Sequence, residues 1–199
     1  VKTLFVVVVA LVHAARSMPA APACGRYNRG SFRAGSVMFV ATPIAVASKS
    51  MLYAELVEQA RGLLHGERDR IANAANFAAL VWYALPDINW CGFYLYDGNE
   101  LVVGPFQGKP ACVRIALGKG VCGTAAATRQ TQLVKDVHAF DGHIACDSAS
   151  QSEIVVPLVD ADGKLIGVWD VDSPALARFD EDDRAGMEAL CAVFLDSLR

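Results

Sequence analysis

Three cysteines, Cys112, Cys122 and Cys146, fall between residues 107 and 152 together with His138 and His143. Loop thiols in a domain too large to be a disulfide scaffold point to redox or nucleophilic chemistry. Their spacing, Cys112-x9-Cys122-x23-Cys146, contains no tight Cys-x2–4-Cys pair, and the one close pair is His143 with Cys146. Structural zinc uses tighter spacings, so no metal is expected. The run Leu117-Gly118-Lys119-Gly120-Val121-Cys122-Gly123-Thr124 leads into an Ala-rich helical stretch, Ala125–Arg129. Glycines at a helix start expose backbone N–H groups beside the positive end of the helix dipole, which suits an anion. The pattern is neither a P-loop nor a dinucleotide fingerprint. A small carboxylate is the better candidate than a phosphate, and an ordinary turn is the plain alternative.

Elements must position these groups. Leu52, Leu56, Ala60, Leu63 and Leu64 recur at helical spacing until Gly66. A second helix is predicted over 69–85, with Ile71, Ala75, Ala78, Ala79 and Trp82 as its apolar positions and Pro86 as its stop. Short aromatic and β-branched runs follow. Trp90–Tyr96 and Glu100–Phe106 are joined by Asp97-Gly98-Asn99, and Glu153–Val159 and Lys164–Asp172 by Asp160-Ala161-Asp162-Gly163. Both pairs read as hairpins. Asp180–Leu198 is amphipathic, with Met187, Leu190, Cys191, Phe194 and Leu198 on one face. Cys91 and Cys191 sit inside a strand and a helix and read as small buried hydrophobes. The order implies an α+β domain with helices packed on an antiparallel sheet and an irregular middle over 107–152, the segment that carries chemistry.

Charge is unevenly divided along the 199 residues. Residues 1–54 hold six bases and no acid, while 55–199 hold twelve bases and all twenty-one acids, a net of −9. So acidic a domain is a poor nucleic-acid surface. No apolar run reaches the roughly 18 residues of a membrane-spanning helix. Residues 1–49 are expected to lie outside the fold as a basic extension. Leu4–Val12 behind Lys2 fits a signal peptide, the Arg- and Ser-bearing acid-free stretch fits an organellar transit peptide, and a translation start at Met38 or Met51 would make it neither. Residues 50–199 form the expected catalytic domain.

Ile71-Ala72-Asn73-Ala74-Ala75-Asn76 and Asn89-Trp90-Cys91-Gly92-Phe93-Tyr94-Leu95 open a set of motifs that continues in order. It runs through Gly104–Gly108, Gly118–Ala125, Asp141–Asp147 and Ser152–Pro157 to Gly167–Ser173. Over about 51–199 this resembles the free methionine-(R)-sulfoxide reductases, which have a GAF-type fold. The resemblance implies a six-stranded antiparallel sheet flanked by helices, and reduction of free L-methionine (R)-S-oxide to L-methionine. It places Cys146 at the catalytic position and matches Cys112 and Cys122 to the family's other two cysteines. Cys112, beside Pro110 in the irregular middle, is the expected resolving thiol, and Cys122, just inside a helix start, a supporting or alternative one. Glu153, Asp170 and Asp172 match the pocket acids, one holding a proton for the sulfoxide oxygen and the others pairing with the substrate ammonium. Trp90 and Tyr94 would wall the thioether methyl, and the Gly120-Val121-Cys122-Gly123-Thr124 loop would take the carboxylate. No bound cofactor is implied; thioredoxin or a similar dithiol protein would return the electrons, in the cytosol or, with a transit peptide, the mitochondrion. A homodimer is left open. The competing class is a GAF-type sensory module that binds a small ligand without catalysis, for which the cysteine trio has no use.

Overall fold

Alternation along the central strands puts two different chemistries on the two faces of one sheet. The computed structural model describes residue 44 and residues 48–142 and 148–199; Cys146, His143 and nearly all of the 1–49 extension lie outside them. The chain runs α1 (Lys49–Leu64), α2 (Arg70–Ala84), β1 (Trp90–Tyr96), β2 (Glu100–Gly108), β3 (Arg114–Ala116), α3 (Gly120–Thr128), β4 (Gln132–Val134), β5 (Ser152–Val159), β6 (Leu165–Ser173) and α4 (Glu181–Ser197). The six strands form one antiparallel sheet in the order β3-β2-β1-β6-β5-β4.

On β1, β5 and β6 one set of alternate residues, among them Cys91, Phe93, Ile154, Val156, Trp169 and Val171, packs under α1, α2 and α4. Phe77 of α2 is the wedge there, edge-on to Phe93 at 5.5 Å and to Trp169 at 4.8 Å. The opposite set, with Trp90, Tyr94, Val155 and Val168, faces α3 and a second, smaller core. Because side chains alternate with period two, filling the first core dictates which residues reach the second face.

Both hairpin turns form as expected. Asp97 and Asp160 accept backbone N–H bonds within them, and Gly98 (φ 105°) and Gly163 (φ 78°) take left-handed conformations. Two expectations need correction. Helix α2 is rotated from the anticipated face: Ile71 and Trp82 are exposed, and Asn73, Ala74, Phe77 and Val81 are buried. The aromatic wedge sets that rotation, and Asn73 is satisfied by donating to Glu67 O and Ser197 Oγ. The middle is also less irregular than anticipated. It carries β3, β4, a 3₁₀ turn at Val137–Ala139, and a helix that starts at Gly120 rather than Ala125. That early start rests on Gly123, which donates to Lys119 O and passes so close to the Ala116 carbonyl that a Cβ would lie 2.4 Å from its oxygen. At the other end of the chain, α1 starts at Lys49 with Ser48 as its N-cap, and Ile44 packs on the main core.

Gly92 lets Trp90 lie flat between Tyr94 and Phe106, with ring centroids 5.8 and 5.3 Å away. A Cβ at Gly92 would meet Phe106 Cβ at 2.3 Å and Trp90 Cη2 at 2.7 Å. Gly92→Ala should therefore destabilise the fold by about 1–3 kcal/mol in urea unfolding. An unchanged unfolding midpoint would mean that the Trp90 stack yields without cost.

Candidate active site

Glu153, second residue of β5, and Asp170 of β6 point to the α3 face because they alternate with Ile154 and Trp169 of the main core. Helix α3 brings Cys122, in its first turn, over both of them. The Cys122 thiol donates to Asp170 Oδ2 at 3.2 Å and lies 3.9 Å from Glu153 Oε1. Glu153 and Asp170 are only 6% and 5% exposed, so the cluster is dry. No Lys or Arg forms an ion pair with either acid among the described residues.

The electrostatics follow from that isolation. Burial, then the Asp170 and Asp172 charges, push Glu153 well above the usual carboxylate range. Burial raises Asp170 to about 7, against hydrogen bonds from Cys122 and Glu153 that pull it down. The Cys122 thiol is pushed well above its ordinary value by burial and the neighbouring acids, which outweigh the helix N-terminus on which it sits. At neutral pH the cluster therefore stores a proton on Cys122 and at least one on the Glu153–Asp170 pair.

Trp90, Tyr94, Asp170 and Asp172 line a small cavity together with Lys109, Pro110 and Ala111. Its free space is about 10 Å³, room for a single water. Trp90 Nε1 donates to Lys109 O at 3.1 Å, tying that segment to the wall. Sequence reasoning placed Trp90, Tyr94, Cys122, Glu153, Asp170 and Asp172, and the structure gathers all six. Trp90 and Tyr94 are both core and wall, at 3% and 1% exposure. Gly120, Val121 and Gly123 form the buried first turn of α3, but the Thr124 hydroxyl donates back to Gly120 O at 2.6 Å. Residues 109–111, which line this cavity, and Phe106, stacked on Trp90, were not among the sequence candidates. The available signal was Pro110, two residues beyond the end of β2 and two before Cys112.

Cys112 lies half-buried between β2 and β3 and is disulfide-bonded, whereas Cys91, Cys122 and Cys191 are free. Cys91 and Cys191 are buried in apolar packing, and burial raises both thiols.

The six-stranded antiparallel sheet with helices on both faces defines a GAF domain, and residues 52–194 match the GAF domain family. The chain is 52% identical over 145 residues to the free methionine-R-sulfoxide reductase of Escherichia coli (strain K12), covering 73% of this chain and 87% of that protein. A free methionine-R-sulfoxide reductase from Neisseria meningitidis, solved with its substrate, superposes with a TM-score of 0.77 at 44% identity, over 81% of this chain and 96% of that one. A protein from Burkholderia vietnamiensis assigned to the GAF sensors superposes at 0.75 with 73% identity, over 77% and 99%. The chain belongs to the free methionine-R-sulfoxide reductase family of GAF proteins.

Asp170 also makes stability depend on pH. In the unfolded chain it titrates near 3.8 and in the fold near 7. Below pH 4 both states hold the proton and nothing is lost. Between these values the fold keeps a proton that the unfolded chain has released, so stability falls as pH rises, and above 7 the whole penalty is present. Asp170→Asn should raise stability by about 1–3 kcal/mol at pH 8 and change it little at pH 4. An equal effect at both pH values in thermal unfolding would mean that Asp170 ionises as an ordinary carboxylate.

Proposed function

We propose that this protein reduces free methionine (R)-sulfoxide to methionine, and that the dry Glu153–Asp170–Cys122 cluster beside the Trp90–Tyr94 wall is the observation that carries this reading. A sulfoxide oxygen leaves only if it is protonated as the sulfur is attacked. Glu153, held protonated across neutral pH, suits that donation. Asp170 and Asp172 suit the substrate ammonium, which would lower the penalty of their ionisation. The first turn of α3 suits the carboxylate. The indole and phenol faces suit the thioether methyl, where sulfur–aromatic contact contributes about 0.3–1.5 kcal/mol.

In the proposed reaction the Cys146 thiolate attacks the sulfoxide sulfur, oxygen passes to Cys146 as a sulfenic acid, and methionine leaves. The Cys112 thiol then condenses with the sulfenic acid, forming a disulfide and releasing water. Support comes from the disulfide at Cys112 and from the high thiol of Cys122, which disfavours that residue as nucleophile. Thioredoxin or a similar dithiol protein would reopen the bridge, and a reducing compartment, the cytosol or the mitochondrion, would suit such a cycle. Methionine sulfoxide would need more room than the about 10 Å³ left between Trp90, Tyr94, Lys109–Ala111, Asp170 and Asp172.

Purified protein should yield methionine from the free R epimer and not from the S epimer. N-acetyl or peptide-bound methionine sulfoxide should be poor substrates, because the groups meant for ammonium and carboxylate would be left unpaired at about 1–3 kcal/mol each. Comparable turnover on peptides, or none on the free R epimer, overturns the reading; binding without turnover favours the sensory alternative.

Single-turnover kinetics separate the residues. Cys146→Ser should release no methionine. Cys112→Ser should release the first equivalent at near-normal rate and then stop with thioredoxin. Normal cycling by Cys112→Ser, with stalling by Cys122→Ser, would reverse the resolving roles. Glu153→Gln keeps a donor but no transferable proton, and should lower kcat by about 10²–10⁴-fold.

A further inference from the structure

Cys122, Glu153 and Asp170 each offer a ligand atom, and these three atoms lie within 4.8 Å of one another. Asp170 is almost wholly buried; its Oδ2 accepts from Cys122, and its Oδ1 has no hydrogen-bond partner among the described residues. We propose that in the reduced protein these three side chains form a site for a borderline divalent cation, zinc above all, which blocks the substrate pocket.

The geometry suits the ion. Tetrahedral zinc, with Zn–S near 2.3 Å and Zn–O near 2.0 Å, sets its sulfur and oxygen ligands about 3.5 Å apart. The Cys122 sulfur stands 3.2 Å from Asp170 Oδ2 and 3.9 Å from Glu153 Oε1. Asp172, which lines the adjoining cavity with Asp170, or a water completes the set. One thiolate among carboxylates selects against magnesium and calcium, which take oxygen alone, and gives copper(I) too few soft donors. Binding exchanges protons for the cation: the thiol proton and the carboxyl proton leave to solvent, the sulfur is bound as thiolate, and nothing is oxidised. The ion then occupies the place proposed for the substrate ammonium and sulfoxide oxygen. Only this inhibitory consequence rests on the reductase reading; the site itself does not.

The test uses the full chain with Cys112→Ser and Cys146→Ser, so that of Cys112, Cys122 and Cys146 only Cys122 is left. Titration with cobalt(II) should give a thiolate-to-metal charge-transfer band saturating at one equivalent and displaced by zinc. Adding Cys122→Ser should abolish the band. Glu153→Gln and Asp170→Asn, checked for folding by circular dichroism, should each weaken cobalt binding by at least about ten-fold. No band, or a band that survives loss of Cys122, overturns the proposal. In the unsubstituted reduced enzyme, zinc should raise the apparent KM for methionine sulfoxide, reversibly by chelator. A cobalt band without reductase activity sinks the reductase reading and leaves the metal site standing; activity without a band does the opposite.

Discussion

Two carboxylates buried without a cation cannot both be ionised, and the functional face of this sheet is organised around that constraint. The proton on Glu153 and the thiol donated by Cys122 are what let Asp170 stay dry beside its neighbour. Neither would work on a flexible support. The acids sit on adjacent antiparallel strands in fixed register, Glu153 opposite Asp172 and Val155 opposite Asp170. Their depth is set by the aromatic core on the other side of the same strands.

A second buried acid shows the contrast. Asp183, at 0% exposure, accepts from Tyr53 at 2.9 Å and pairs with Lys49 at 2.5 Å and Arg178 at 3.1 Å. It also completes the capping box at the start of α4, so it joins the N-termini of α1 and α4. Its charge is matched and its role is structural. Glu153 and Asp170 are also buried, and among the described residues neither pairs with a cation. An acid held away from cations retains a proton to give, which is why the unmatched pair reads as chemistry and the matched one as architecture.

Much of this was legible in the sequence, and the failures have definable causes. The four long strands follow from period-two runs bounded by Asp-Gly turns, and their bounds came within about two residues. Helix α4 announced itself through Asp180 and the Met187–Phe194 stripe. Helix α2 was found but turned the wrong way, because an Ala-rich helix has no single dominant stripe and the Phe77 wedge is a tertiary fact. The β3 and β4 strands span three residues each, too short for any period to register. Gly120 as a first helical residue runs against glycine's weak helix propensity, and the close pass of Gly123 beneath Ala116 decides the matter instead. The pocket acids were reached through the ordered motifs of the resemblance. Nothing in spacing alone brings Glu153 and Asp170 together, since their contact with Cys122 joins a helix to two strands.

Cys122 illustrates how position divides labour among thiols of the same chain. At a helix N-terminus a cysteine would ordinarily be acidified, yet here burial and two carboxylates drive it the other way. A thiol so held is a proton donor to Asp170 and a weak nucleophile. Attack in the proposed reaction then falls to Cys146, and resolution to Cys112 in the connection that follows Lys109–Ala111. That separation has a physical advantage. Proton delivery needs a rigid, water-free site, whereas disulfide formation needs two sulfurs brought to bonding distance and afterwards reached by a reductant. In the proposed reaction the sheet would hold the protons, while Cys112 is carried by the connection between β2 and β3.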